Sequence, residues 1–113
     1  MQEQEILAGQ VLELRRGTIV LCVLSRLQQP MYGYNLVTAL SQSGLPVEAN
    51  TLYPLLRRLE GQGLLESRWE TGGTKPRKYY QTTLLGKEIF TSLKQHWQDT
   101  VQSVSTILQE DEK

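Results

Sequence analysis

The hydrophobic period of this chain changes at Gly63, and that change restricts the fold more than any other feature. Before it, apolar residues recur every three or four positions: Ile19, Val20, Val23, Leu24 and Leu27, then Leu36, Val37 and Leu40, then Leu52, Leu55, Leu56 and Leu59. Such spacing gathers them on one face of successive helices. After it, Leu65, Ser67 and Trp69 alternate with Glu66, Arg68 and Glu70, which is the period of a strand. Gly72-Gly73 marks a turn, and Arg77 to Thr82 reads as the returning strand. A chain that is helical up to one glycine and then forms a hairpin has few architectures open to it.

Breaks in the pattern mark the elements. The apolar-rich stretch from Ile6 to Leu27 reads as an N-terminal helix, ended at Gln28-Gln29-Pro30 because proline disfavours helical backbone at the residue before it. Met31-Tyr32-Gly33-Tyr34 reads as a connector. A second, short helix carries Leu36, Val37 and Leu40 and stops near Ser43-Gly44. Leu45-Pro46 is a turn, and a third helix is expected from about Glu48 to Gln62, with Gly63 as its stop. Two helices, a tight turn and a third helix make a helix-turn-helix. Thr83 is a fair N-cap for a last helix of about 25 residues. There Phe90, Trp97 and Val104 recur every seven residues, and Leu93, Val101 and Leu108 fill neighbouring positions, a coiled-coil-like seam. The expected fold is α+β, mostly α. A winged helix-turn-helix with an N-terminal helix occupies residues 1–83, and a long C-terminal dimerisation helix occupies residues 84–113.

A chain of 113 residues holds one domain, or one domain with an arm that needs a partner. Its 39% apolar content suits a compact core. No apolar run nears the roughly 18 residues of a membrane span, so no membrane partner is expected. No basic segment precedes the first apolar residues, so no secretory signal is expected and cytoplasm is the expected location. Cys22 is the single cysteine, which excludes an intramolecular disulfide and a cysteine-based zinc site; an apolar run surrounds it, as for a small core or interface residue. His96 has only Asp99 as a candidate second ligand, which falls short of a metal site. There is no nucleophile–base pattern, no phosphate-binding glycine loop and no paired carboxylates, so neither catalysis nor a cofactor is expected.

The net charge is zero, but its distribution is uneven. Between Arg57 and Lys78, six cations (Arg57, Arg58, Arg68, Lys75, Arg77, Lys78) face three anions (Glu60, Glu66, Glu70), a local +3. From Glu88 onward five anions face Lys94 and Lys113, a local −3. Asn50, Tyr53, Pro54 and Arg57 form the helix stripe opposite the leucines. Arg57 has the fork that grips a guanine edge or a phosphate, and Thr51 and Tyr53 offer hydroxyls to phosphates. The bland reading of Arg57 and Arg58 is a solvated face paired with Glu60 or Glu48. Lys75, Arg77 and Lys78 crowd one hairpin, where a nearby polyanion would relieve their repulsion; the bland reading is a soluble tip whose charges prevent edge pairing. Trp69 and the Tyr79-Tyr80 pair fit packing of the hairpin on the body. Trp97, on the seam, fits a dimer interface, or a pair of rings about a two-fold axis sandwiching a flat ligand.

Leu14-Arg15-Arg16-Gly17-Thr18, Met31-Tyr32-Gly33-Tyr34, Thr51-Leu52-Tyr53-Pro54-Leu55-Leu56-Arg57-Arg58-Leu59-Glu60, Gly63-Leu64-Leu65, Arg77-Lys78-Tyr79-Tyr80 and Thr83 to Gly86 resemble, in order and over essentially the whole chain, the PadR family of transcriptional regulators. The short, single C-terminal helix resembles the small subgroup of that family. The resemblance implies a winged-helix homodimer, held by its last and N-terminal helices, that represses transcription by binding double-stranded DNA. It implies that Asn50, Thr51, Tyr53, Arg57 and Arg58 are recognition-helix contacts and that Lys75, Arg77 and Lys78 are wing contacts. Two recognition helices in successive major grooves require an inverted-repeat operator with half-sites ~10 bp apart. In some small members a tryptophan of the last helix stacks a flat, cationic aromatic at the dimer centre. Trp97 falls at the matching place, with Thr18, Cys22, Lys94 and Val101 as neighbours. Lys94 disfavours a cationic drug, and neither Thr18 nor Cys22 supplies a carboxylate, so an acidic or neutral aromatic effector, or none, stays open. Two other readings also stay open: a winged helix that meets an acidic protein partner, and an aromatic-binding dimer with vestigial DNA binding.

Overall fold

The structure, a computed structural model, describes residues 2–111. Its elements run α1 (Gln2–Arg16), α2 (Ile19–Arg26), β1 (Met31–Tyr32), α3 (Gly33–Gln42), α4 (Ala49–Gly61), β2 (Leu65–Glu70), β3 (Arg77–Thr82) and α5 (Leu84–Asp111). This is the expected α+β, mostly helical fold: a winged helix-turn-helix followed by one long helix. Among the described residues no helix is long and apolar enough to cross a membrane.

Two local expectations are corrected. The N-terminal helix is two helices, not one. The amide and hydroxyl of Thr18 both donate to the Arg15 carbonyl, at 2.9 and 2.7 Å, and close a turn. Glycine is a poor interior helix residue, and threonine readily bonds its own local backbone, so the break falls at Gly17-Thr18. Its consequence is a division of labour: α2 buries Val23 and Leu24, whereas α1 buries nothing and exposes Ile6, Leu7, Leu12 and Leu14. The second correction concerns Met31-Tyr32, which is a strand and not a connector. It pairs antiparallel with Tyr80 and Tyr79 and completes a three-stranded sheet of order β1-β3-β2. Gly33 and Tyr34 already belong to α3.

The core forms where helical stripes converge on the base of the hairpin. Leu27, Leu36, Leu40, Leu52, Leu56, Leu59, Leu65 and Tyr80 join Val23, Leu24 and Val47 in one buried cluster. Helices α3 and α4 end in the same way. Gly44 and Gly63 adopt left-handed backbone at φ +91 and +80. Leu45 N–H then reaches the Leu40 carbonyl at 2.9 Å, and Leu64 N–H reaches that of Leu59 at 3.0 Å. Glycine tolerates this geometry because it has no Cβ to clash.

The base of the wing is pinned to the helices by hydrogen bonds. Thr82, the buried polar residue of the core, donates its amide to the Leu27 carbonyl at 2.8 Å and its hydroxyl to that of Leu24 at 3.1 Å. Two carbonyls at the C-terminal end of α2, those of Leu24 and of its C-cap Leu27, thereby gain partners. Thr83 caps α5, accepting from Gly86 N–H at 3.0 Å, and donates to the Gly63 carbonyl at 2.6 Å. Gly86 is there for space: a Cβ would stand 2.1 Å from the Leu64 carbonyl oxygen and 2.6 Å from Thr82 Cγ2. Backbone cannot yield as a side-chain tip does. Gly86→Ala should therefore lower stability by about 2–3 kcal/mol, read as a lower urea midpoint at unchanged slope.

Candidate nucleic-acid interface

Burial of Leu52, Leu56 and Leu59 leaves Asn50, Thr51, Arg57 and Arg58 exposed on the other side of α4. Pro54, in the middle of the helix, has no N–H, so the Asn50 carbonyl lacks its usual helical donor. Neither Arg57 nor Arg58 takes part in an ion pair among the described residues. Tyr53 differs from the expected outward stripe. It is half-buried against the core, with its ring laid over Gly33, where a Cβ would come within 2.6 Å of Tyr53 Cε1. Lying next to Leu52, it stands at the border of the buried stripe.

Between α4 and the wing runs an open cleft of about 570 Å³. It brings together five of the expected residues, Tyr53, Arg57, Lys75, Arg77 and Lys78, with Tyr34, Trp69 and Thr74. Asn50, Thr51 and Arg58 do not line it. Thr51 lies instead beside Arg15 and Glu48, where α1 approaches the start of α4.

The two faces of the hairpin have different partners, because the register pairs Lys78 with Trp69 and Tyr80 with Ser67 on one side, and Arg77 with Glu70 on neighbouring positions of the other. On the first face Glu60 of α4 accepts from Ser67 Oγ at 2.5 Å and lies 3.8 Å from Lys78 Nζ. Lys78 Nζ also sits 5.7 Å from the centre of the Trp69 ring and 5.5 Å from that of Tyr80. On the second face Arg77 Nη1 donates to Tyr34 Oη at 3.4 Å, and its guanidinium stands 5.6 Å over the Tyr32 ring. Tyr32 stacks on Tyr34 and donates to Glu70 Oε2 at 2.5 Å. Lys75 is exposed and makes no ion pair among the described residues.

Trp69 does not pack on the body as expected; it is 62% exposed, because the wing carries it past the end of the core. Tyr80 is buried and Tyr79 meets Tyr32 edge-on. The sequence reading missed Tyr32, Tyr34 and Glu60. Hydroxyl and carboxylate side chains so close to a basic hairpin were the signal available, but their partners lie far off along the chain.

Around Trp97 two clefts meet. One, of about 500 Å³, is lined by Thr18, Cys22, Arg26, Phe90, Lys94 and Trp97, among others. The other, of about 480 Å³, includes Leu14, Thr18, Trp97, Val101 and Val104. Neither is lined by a carboxylate. No group of three or more His, Cys, Asp or Glu among the described residues could hold a metal ion.

A three-helix unit with a hairpin beside its third helix defines a winged helix-turn-helix protein. Residues 20–92 match the transcriptional regulator PadR-like family. A PadR family transcriptional regulator from Eggerthella lenta DSM 2243 is 52% identical; the match covers 96% of each chain with a TM-score of 0.91. The transcriptional regulator Rv3488 of Mycobacterium tuberculosis is 34% identical over 80 residues, which is 70% of this chain and 75% of that protein. Bacillus subtilis PadR, crystallised with operator DNA, shares the fold at a TM-score of 0.62 and 22% identity, over 67% of this chain and 45% of its own. The chain belongs to the PadR family of transcriptional regulators.

Tyr32 offers a test of the wing's outer face. Its hydrogen bond to Glu70, with burial and the negative charge of that carboxylate, raises the phenol's pKa; Arg77 opposes the shift. A raised pKa means that the neutral phenol is favoured in the fold. Its contribution is present below the ordinary tyrosine range and is lost as pH rises through the shifted value. Glu70→Gln should return Tyr32 toward the ordinary range, seen as earlier tyrosinate absorbance in an alkaline titration. An unchanged titration curve would show that the contact is absent in solution.

Proposed function

We propose that this PadR-family chain is a homodimeric DNA-binding repressor, released from its operator by a small aromatic ligand. The observation that carries the DNA reading is the shared cleft, in which Arg57 of α4 and Lys75 and Arg77 of the wing face one space. A helix and a ribbon that present cations to one groove suit a duplex, with α4 in the major groove and the wing on the flanking backbone. Arg57 is the residue for a base edge, and Asn50, Thr51, Tyr53, Arg58, Lys75 and Arg77 are those for phosphates and positioning. The same fold seated on operator DNA in Bacillus subtilis PadR supports this arrangement.

The exposed surface calls for a second copy of the chain. The chain exposes 8331 Å², whereas a compact monomer of its mass exposes roughly 6,300 Å². Exposed Ile6, Leu7, Leu12 and Leu14 of α1, and Trp97, Val101, Val104, Ile107 and Leu108 of α5, account for much of the apolar part. A second copy covering these faces would bury an area typical of a stable interface. Residues 1–83 then form the reading head and residues 84–113 the dimerisation arm, with α1 of the head joining that arm in the contact. A dimer seated on a promoter excludes the polymerase, hence repression. Trp97, with Thr18, Cys22, Lys94 and Val101, is the proposed effector site at the centre. A ligand that favours one spacing of the two heads, with coupling of about 1–3 kcal/mol, suffices for release.

Binding to the region upstream of its own gene, followed by fluorescence anisotropy, tests the reading. Three phosphate-facing cations, Arg58, Lys75 and Arg77, on each of two subunits predict a log–log salt slope of roughly −5. Arg57→Ala should lower specific affinity by about 5- to 150-fold and relax discrimination at one base pair; unchanged operator affinity removes Arg57 from the interface. Separately, Val104→Asp with Leu108→Asp should reduce the sedimenting mass to the monomer's 12.9 kDa. Trp97→Ala should keep the dimer but abolish fluorescence quenching by planar aromatics, and surviving quenching would place the effector elsewhere.

A further inference from the structure

The sequence groups Lys75, Arg77 and Lys78 as one cluster of wing cations, but the structure separates Lys78 from the others. Its side chain is 30% exposed and Glu60's is 35% exposed, so the pair is partly withdrawn from water. Glu60 stands in the last turn of α4, where the helix dipole disfavours a carboxylate. Compensation comes from the wing: Ser67 Oγ of β2 donates to one oxygen at 2.5 Å, and Lys78 Nζ of β3 lies 3.8 Å from the other. One carboxylate thus takes hold of both strands of the hairpin. Lys78 is also placed over the rings of Trp69 and Tyr80, at 5.7 and 5.5 Å. To reach a phosphate it would leave both rings and strand a half-buried carboxylate.

We infer that Glu60 is a positioning residue that sets the angle of the wing against α4, and that Lys78 serves this tether and is not a phosphate contact. The inference rests on the DNA-binding reading for its functional consequence, but the tether itself does not. A six-residue strand is a lever of about 20 Å, so a 10° swing at its base moves the tip by about 3.5 Å. That exceeds the range of a hydrogen bond, so Lys75 at the tip would lose a phosphate it had been set against. Two anchor points, one per strand, resist both this swing and rotation of the hairpin about its own axis.

Two measurements test the inference. In the first, salt dependence of operator binding is compared for the wild type, Lys75→Gln, Lys78→Met and Glu60→Gln. Lys75→Gln should flatten the log–log slope of the dimer by about 1.8, two phosphates' worth. Lys78→Met should flatten the slope as far as Glu60→Gln does, because it breaks the same contact. Glu60→Gln should weaken binding about tenfold and flatten the slope, although removing an anion would by charge alone tighten it. The double variant Glu60→Gln with Lys78→Met should bind no more weakly than Glu60→Gln alone, because both substitutions break one tether. In the second, DNA-free measurement, Trp97→Phe makes Trp69 the single indole; adding Glu60→Gln should then raise acrylamide quenching of Trp69 as Lys78 and the hairpin come loose. A double variant that binds more weakly, or with a flatter slope, than Glu60→Gln alone would overturn the assignment of Lys78. Tighter DNA binding by Glu60→Gln, or unchanged Trp69 quenching, would overturn that of Glu60. If the wild type binds no DNA, the proposed function fails and the quenching experiment alone decides whether the tether exists.

Discussion

Leu52, Leu56 and Leu59 are each at most 1% exposed, and their burial decides how α4 is rotated about its axis. A helix has one such freedom, and a stripe of leucines buried against α2, α3 and the hairpin removes it. Everything outward on α4 follows. Arg57 and Arg58 face solvent because Leu56 and Leu59, one or two positions away around the helix, are turned into the core. Turning the helix to hide either arginine would bring leucine into water and a charge into the core. The same packing delivers Glu60 to the edge of the wing, so one constraint sets both the reading face and the support for its neighbour.

The wing depends on that support. A two-stranded hairpin is marginal by itself. Here its base is held by Thr82 on α2 and by Thr83 between Gly63 and α5. Further out, Glu60 holds one face, and the Tyr32–Tyr34–Arg77–Glu70 cluster holds the other. A cation-rich segment is therefore ordered without all its cations being free. α1 and α5 carry a complementary problem: their apolar faces exceed what this chain can cover. The radius of gyration, 16.8 Å against about 13 Å for a compact chain of this length, expresses the same excess.

Much of the fold was legible because long, periodic segments are. The stripes of α3 and α4, the alternation of β2, the return strand from Arg77 to Thr82 and the Thr83 cap all lie where the sequence puts them. α4 runs from Ala49 to Gly61, within a residue of the expected bounds at each end. What was not legible has specific causes. A strand as short as Met31–Tyr32 cannot display a period. The break at Gly17-Thr18 interrupts an apolar pattern that continues on both sides of it. Tyr53 sits at the edge of the leucine stripe, where helical phase alone does not decide between core and surface. Trp69 alternates correctly with its neighbours, but the wing extends beyond the body, so its inward face has no core to meet.

The sequence by itself determined the longer periodic elements, their order, the leucine stripes they bury and the family to which the chain belongs, because these depend on spacing between near neighbours. Tertiary structure alone decided which charges are available. Lys78 meets Glu60 across 18 positions and Arg77 meets Tyr34 across 43, and such pairs form only after the chain has closed on itself. Counting cations along a hairpin measures charge. Whether a cation can be given to a ligand depends on what it already touches, and that is a property of the fold.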